Sequence, residues 1–284
     1  METQCLFVSD LHGKENRYRK LFTVIRERKP ACVFLGGDIL PGAMTATGSQ
    51  SDFLTDYIAG ELRSLKSELG RQYPRIFMIL GNDDGARAEE EVLLIAQAGL
   101  WEYAHNRKLI FGEYSVFGYS YVPPTPFLLK DWERYDVSRY VDPGCLSPEE
   151  GFVSIPADDY ERRWSTIQVD LERLAENEDL SKAVFLFHSP PYNTKLDRAA
   201  LDGKSVDHAP LDPHVGSIAI QRFIESRQPL LTLHGHIHES ARLTGSWQDK
   251  IGNTFCMNAS HDGSELSVIS FSLEAVSSAR RDLL

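Results

Sequence analysis

Five short apolar runs punctuate the chain, and each ends in small or polar residues. They are CLFVSDLHG from Cys5, ACVFLGGD from Ala31, IFMILGNDD from Ile76, AVFLFHSPP from Ala183 and LLTLHGHIH from Leu230. A continuous apolar run of this length reads as a strand buried on both faces, delivering a polar residue at its C-terminal end. Helical spacing falls between several of the runs. Lys14 to Arg28 repeats apolar residues at Tyr18, Leu21, Phe22 and Ile25, and Ser51 to Leu69 opens with Ser51 as an N-cap. Ala88 to Ala98, Asp159 to Glu178 and Val215 to Glu225 are also predicted helices. Strands alternating with helices make the fold class α/β.

After His234 the pattern changes. Thr254 to Asn258 and Leu266 to Leu273 are strand runs with no helix between them, and Lys108 to Phe111 with Tyr114 to Tyr119 reads as a hairpin. These segments predict a second sheet with antiparallel edges, so that two stacked sheets would be flanked by helices. Residues 121–157 differ again, with six prolines, several aromatics and many charges, as in YVPPTPFLLKDWERYD. An irregular segment of this length is usually a binding surface or lid, and it is expected near the active site. No repeat and no low-complexity linker divides the chain. Residues 1–284 are therefore read as one domain carrying an excursion at about 121–157.

Composition narrows the picture. With 42% hydrophobic and 25% charged residues the chain is an ordinary folded protein. Its apolar runs are strand-sized, far short of the roughly 20 residues a membrane helix needs. Glu2 precedes the first run and no basic segment leads it, which points away from a secretion signal and toward the cytoplasm. Cys5, Cys32, Cys145 and Cys256 show no paired spacing and read as reduced structural thiols. A net charge of −11 argues against a protein that tracks long nucleic acid, while a small anionic substrate is compatible if metal ions supply local positive charge.

The candidate chemistry lies at the strand ends. Asp10 and His12 are two apart, so in an extended strand they would point to one side. Asp38 follows the Gly36-Gly37 pair, Asn82 follows Gly81, His188 ends AVFLF, and His236 and His238 stand two apart behind Gly235. In this order the blocks D-x-H, G-D, G-N, H and G-H-x-H resemble those of the calcineurin-like metallophosphoesterases. The stretches VPPTPF, KDWERYD, HSPPYNTKLD and RQPLLTLHGHIHES further resemble a bacterial and archaeal subgroup related to the Icc phosphodiesterase. The resemblance implies a four-layer α/β/β/α sandwich of two mixed sheets. It also implies two divalent metal ions, the first held by Asp10, His12 and His238, the second by Asn82, His188 and His236, with Asp38 bridging. Carboxylate, amide and imidazole donors suit Mn, Fe or Zn without choosing among them. Two such ions would activate a bridging water and clamp the oxygens of an in-line displacement at phosphorus.

The pattern departs from the family at one place. Most members read G-N-H, and that histidine contacts the scissile phosphate and is thought to protonate the leaving group; here the sequence is Gly81-Asn82-Asp83-Asp84. Asp83 is a candidate replacement acid, although a carboxylate beside two cations would rarely hold a proton. Alternatively it caps the turn into the following helix, or the substrate has a good leaving group. Beyond His188, Lys195, Arg198 and Lys204 are candidate phosphate contacts, with a solvated loop as the plainer reading. Phe127, Trp132 and Tyr135 could stack on a substrate or simply pack the excursion. His234 reads as structural, and His105, His208, His214 and His261 match no ligand block, though His208 and His214 lie on a loop that could approach substrate. The expected activity is hydrolysis of a small, nucleotide-like phosphoester. A phosphoprotein phosphatase, a nuclease and a non-catalytic metal-binding scaffold are the alternatives.

Overall fold

The computed structural model describes residues 3–42 and 50–284. Two six-stranded sheets stack face to face. In the first, β1 (Gln4–Val8), β2 (Cys32–Gly36), β3 (Arg75–Ile79) and β4 (Glu102–Tyr103) run parallel. The second is ordered β11 (Gln248–Ile251), β12 (Thr254–Asn258), β10 (Leu231–His234), β7 (Ala183–Phe187), β6 (Tyr114–Tyr119) and β5 (Arg107–Phe111). Its four inner strands are parallel and its two edges antiparallel. The first sheet is completed by β13 (Ser267–Ser272), antiparallel to β1, and β14 (Arg280–Leu283), antiparallel to β13. A two-stranded ladder, β8 (Ser205–Val206) with β9 (Ala209–Pro210), stands apart.

Side-chain alternation along the strands produces the layers. Leu6, Val8, Val33, Leu35, Ile76 and Met78 turn outward and pack with Tyr18, Leu21 and Ile25 of α1 (Glu15–Arg28) and Leu62 and Leu65 of α3 (Ala59–Leu69). Their neighbours Phe7, Phe34, Phe77 and Ile79 turn inward to meet Val184, Leu186, Leu231 and Leu233 of the second sheet. That sheet's other face carries Phe185 and Phe187 against α6 (Ile167–Leu174) and α7 (Ile218–Arg227). Period-two alternation with apolar residues on both faces explains why these strands read as unbroken apolar runs. The result is the expected α/β/β/α sandwich.

Several expectations need correcting. The five apolar runs, whose sheet membership the sequence left open, divide three to the first sheet and two to the second. Leu266 to Leu273 joins the first sheet rather than a separate antiparallel one, because Ile269 and Phe271 fit the inner layer beside β1. Thr254 to Asn258 extends the second sheet in parallel. The predicted helix over Asp159 to Glu178 is two helices, α5 (Asp159–Trp164) and α6, because Thr166 adopts an extended backbone and caps α6 by accepting from Val169 N. The helix expected over Val215 to Glu225 starts at Ile218, where the Ser217 hydroxyl accepts from Ile220 N. The segment around Ser51 is helical from Gln50, through α2 (Gln50–Asp52) and a π-helical Phe53–Ile58 into α3, so Ser51 is not its first residue. The Ser51 side chain lies outside the described residues. Ala88 to Ala98 corresponds to α4 (Glu89–Gln97), and α8 (Ser240–Thr244) follows the last histidine pair.

The excursion is held together and fixed to the sandwich by three carboxylates, of which Glu133 is buried and Asp131 and Asp136 are partly buried. Glu133 forms an ion pair with Lys130 at 2.6 Å, both side chains fully buried, and accepts from the Thr125 hydroxyl and backbone N–H. Asp131 accepts from Ala86 N at 2.7 Å and Ser154 N at 2.8 Å. Asp136 accepts from Ser217 Oγ at 2.5 Å and Ile218 N at 2.7 Å, placing an anion at the N-terminus of α7. Trp132 and Tyr135 are buried packing residues, whereas Phe127 stays 56% exposed.

Candidate metal centre

Strands β1, β2 and β3 run parallel, so their C-terminal loops emerge at one edge, as open α/β sheets present their functional residues. The ladder continues past the strands: Asp10 N donates to Gly37 O at 3.0 Å and His12 N to Asp38 O at 2.8 Å. Asp10 and His12 are therefore not held on one side by extended backbone, as the two-residue spacing predicted. Both are left-handed (φ +58° and +48°), as are Asp38 (+50°) and His236 (+71°). Non-glycine residues in this region are strained, and four of them gathered at the strand ends of the two sheets mark a functional site. Glycine is required beside them. A Cβ at Gly81 would collide with the Asp38 carboxylate and reach 2.6 Å from His188 Nε2, and one at Gly235 would collide with Ser9 Oγ.

The predicted ligands converge. Asp10 Oδ1 stands 3.1 Å from His238 Nε2, which faces His12 Nε2 at 3.2 Å. Asp38 Oδ2 lies 3.3 Å from His188 Nε2 and 3.9 Å from His12 Nε2, touching one donor from each expected set. Asn82 Oδ1 is 3.0 Å from His188 Nε2. The His236 ring centroid lies 5.3 Å from that of His188, and His236 N donates to both oxygens of Asp10. Among the described residues, Asp10, His12 and His238 form one group with donor atoms within 4.8 Å of one another, and Asp10, Asp38 and His188 form a second.

These donors fit divalent ions. Two atoms each about 2.1 Å from a shared ion stand about 3 Å apart at a right angle, which matches the spacings above. The ring nitrogens are also set correctly. His188 Nδ1 donates to the Gly36 carbonyl at 2.8 Å, which places its proton there and turns the Nε2 lone pair toward Asp38 and Asn82. His12 Nδ1 donates to Asp83 Oδ2 at 3.2 Å, with the same consequence for its Nε2.

Asp83 therefore holds the His12 ring. It does not cap the following helix: Asp131, from the excursion, accepts from Ala86 N there, and α4 has no side-chain cap. Asp83 N also donates to Asp38 Oδ1 at 2.8 Å.

Three residues that the sequence pattern did not single out complete the site. Asp84 is fully buried and accepts from Gly81 N, Leu40 N and Ile39 N, tying the Asp38 loop to the Asn82 loop. Burial, then the charge of Asp38, pushes its carboxyl up to about 7. Ser260 donates to Asp10 Oδ2 at 2.6 Å, and the buried Arg17 donates to Asp10 O at 2.6 Å. The second aspartate of Asn82-Asp83-Asp84 and a serine just past β12 were the available signals.

Electrostatics match a cation site. Burial opposes the charge on His188, yet Asp38 and then Asp10 raise it to about 9; burial likewise opposes the charge on His12, yet its bond to Asp83 and the charges of Asp38 and Asp10 raise it to about 9. Asp38 is held down at about 2 by His188 and His12 despite burial. Burial, with His188 next, lowers His236 to about 3, so that imidazole is neutral and ready to ligate.

A cavity of about 990 Å³ opens on this edge. Its walls include His12, Asp38, Asn82, Asp83, His236 and His238, together with Pro123 to Leu129 and Tyr140 of the excursion. Lys195 and Arg198, expected at the substrate, are not among its lining residues. The Arg198 guanidinium is engaged by Asp202, four residues on, and the exposed Lys195 is tied by its backbone N–H to Asp249. Lys204 and His208 are exposed, and His214 lines the cavity with Nδ1 2.8 Å from Asp197 Oδ1. His234 is buried between Ser189 O and Thr232 Oγ1. His105 is buried and accepts from Ser120 N, and His261 meets Glu265.

Sandwich and donor set together define a metal-dependent hydrolase. The family model for calcineurin-like phosphoesterase matches residues 4–240. The chain belongs to that family, and it is a hydrolase acting on phosphoester bonds. One solved structure is 18% identical over 100% of this chain and 99% of its own, with a TM-score of 0.60. A protein of Thermus thermophilus is 15% identical over 100% of this chain and 99% of its own, with a TM-score of 0.58. At these identities the likeness is one of fold. A search of curated proteins gives no match.

Two outcomes follow. Asp83→Ala, which frees the His12 ring, lowers Mn²⁺ affinity about 10- to 100-fold in calorimetric titration; unchanged affinity would mean the ring is held some other way. Metal ligation needs neutral imidazoles, and in the metal-free protein His12 and His188 keep their protons up to about pH 9. Mn²⁺ affinity therefore rises from pH 6.5 to 8.5 by about tenfold per unit for each proton displaced, and flattens above about 9. A pH-independent affinity would contradict this.

Proposed function

We propose that the chain hydrolyses a small phosphodiester or phosphomonoester with two divalent cations, one set among Asp10, His12 and His238 and the other among Asn82, His188 and His236, with Asp38 between them. What supports this reading is the meeting of those donors beside a cavity large enough for a complete small molecule, with His12, Asp38, Asn82, His236 and His238 in its wall. When bound, the cations supply Lewis-acid activation of water and neutralise charge on the phosphoryl oxygens. The chain's own residues do the rest. Asp38 and Asp10 provide fixed negative charge, Gly36 O and Asp83 set the tautomers of His188 and His12, and Asn82 places its Oδ1 beside His188 Nε2. A water oxygen bonds to phosphorus, the ester P–O bond breaks, and the departing oxygen takes up a proton.

Asp83 is engaged with His12, which supports assigning it to positioning rather than to protonation of the leaving group. The reaction is then expected to favour esters with good leaving groups. Among the described residues no helix is long and apolar enough to cross a membrane, and the chain's thiols are unpaired. Both accord with a cytoplasmic enzyme.

Purified protein loaded with Mn²⁺ is expected to hydrolyse bis-p-nitrophenyl phosphate, and Asp38→Ala to lose at least about a thousandfold in kcat/KM by removing the shared carboxylate. Activity surviving Asp38→Ala, or none with Mn²⁺, Fe²⁺ or Zn²⁺, would overturn the proposal.

A further inference from the structure

The walls of the cavity are uneven in a way that bears on substrate class. Near the metal-ligand edge they carry carboxylates, imidazoles and an amide. The remaining lining includes Phe127, Leu128, Val137, Tyr140, Val206 and Leu211 together with several prolines. Phe127, Leu128 and Tyr140 are 56%, 52% and 67% exposed, so the rim is apolar as well as the wall. Large side chains left in water around a concave site mark a place where an apolar group docks.

Charge points the same way. Among the described residues lining the cavity there is no lysine and no arginine. The undescribed stretch 43–49 has the sequence AMTATGS and adds no charge. Acidic groups are present instead. Asp136 is occupied by the N-terminus of α7, but Asp142, Asp212 and Glu239 also line the space. A second phosphate on the substrate would meet these carboxylates without a cation to answer them. Polyphosphates and oligonucleotides are disfavoured on that ground. The Tyr192 hydroxyl is spent on Asp212 and the Thr125 hydroxyl on Glu133, which removes two hydroxyls of the wall from the recognition of a nucleobase.

We infer that the substrate is a phosphoester with a single phosphate whose organic part is largely apolar, an acyl or alkyl chain or an arene, lying beneath the 121–157 excursion while the phosphate sits at the Asp38 end. This rests on the proposed reading that the phosphate is held at the metal-ligand edge. It replaces the nucleotide-like expectation. The excursion becomes a fixed specificity wall, since Asp131 and Asp136 fasten it to the sandwich and the Lys130–Glu133 pair braces its interior.

The test uses non-hydrolysable probes, so that binding is read separately from turnover. Mn²⁺-loaded protein is titrated calorimetrically with methyl-, butyl- and octylphosphonate and with thymidine 5′-monophosphate. Each buried methylene is expected to tighten binding about two- to fourfold, making octylphosphonate at least about thirtyfold tighter than methylphosphonate. Leu211→Asp is expected to shrink that ratio severalfold while methylphosphonate binding is retained. Octylphosphonate binding no tighter than methylphosphonate, or weaker than the nucleotide, would overturn the inference, as would an unaltered ratio in Leu211→Asp. Bis-p-nitrophenyl phosphate hydrolysis is followed in parallel. Turnover without chain-length preference overturns the apolar reading alone, whereas chain-length preference without turnover supports it and overturns the hydrolytic one.

Discussion

Two buried carboxylates from the first sheet and imidazoles from both sheets can share one site only because their charges answer each other. Asp10, Asp38 and His188 are almost wholly removed from water, where an unpaired charge would be very costly. Each has its partner: His238 for Asp10, His188 for Asp38, and the Gly36 carbonyl for the far side of His188. The arrangement is poised for cations, since protons alone hold His12 and His188 charged well above their ordinary range. Much of the surrounding structure serves this edge. The parallel ladder of β1, β2 and β3 brings the loops together, and the backbone ladder past the strand ends keeps Asp10 beside Gly37. Asp84 binds the second loop to the third.

The strained backbone at Asp10, His12, Asp38 and His236 belongs to the same constraint. Residues in the left-handed region cost of order 1 kcal/mol or more each and persist only where surrounding bonds over-determine them. Here the supporting bonds are visible: Arg17 on the Asp10 carbonyl, Ser260 on its carboxylate, and the Asp10 carboxylate itself accepting from His236 N. The excursion then closes one side of the site from a distance. It reaches the cavity because three carboxylates fix it to α7, to the turn before α4 and to its own interior.

The donors and the strands that carry them were legible in the sequence because each buried strand is a plain apolar run and each donor stands directly at its end. Sheet membership was not legible. β13 reads like any other strand, and only the fit of Ile269 and Phe271 against β1 assigns it to the first sheet. The edges β11 and β14 escaped because QDKI and RRDL carry little apolar signal. The break between α5 and α6 depends on Thr166, whose role is fixed by the bond from Ile167 N to Tyr135 O. At the site, Asp83 and Asp84 looked alike in sequence and took different tasks, one on a ring nitrogen and one on three backbone amides. Lys195 and Arg198 were drawn to the site by their nearness in sequence to His188, but neither lines the cavity: Asp249 holds the Lys195 backbone and Asp202 the Arg198 guanidinium. The supporting Arg17 and Ser260 act on Asp10 from helix α1 and from beyond β12, a long-range meeting that no local pattern records.

The central claim is that one edge holds two cations with Asp38 between them. Anomalous diffraction from crystals of Mn²⁺-loaded protein tests it most directly. The account predicts two peaks, one within about 2.0–2.3 Å of donors from Asp10, His12 and His238, the other equally close to Asn82, His188 and His236, and Asp38 within that reach of both. A single peak, no peak at this edge, or two peaks that do not share Asp38 would contradict it.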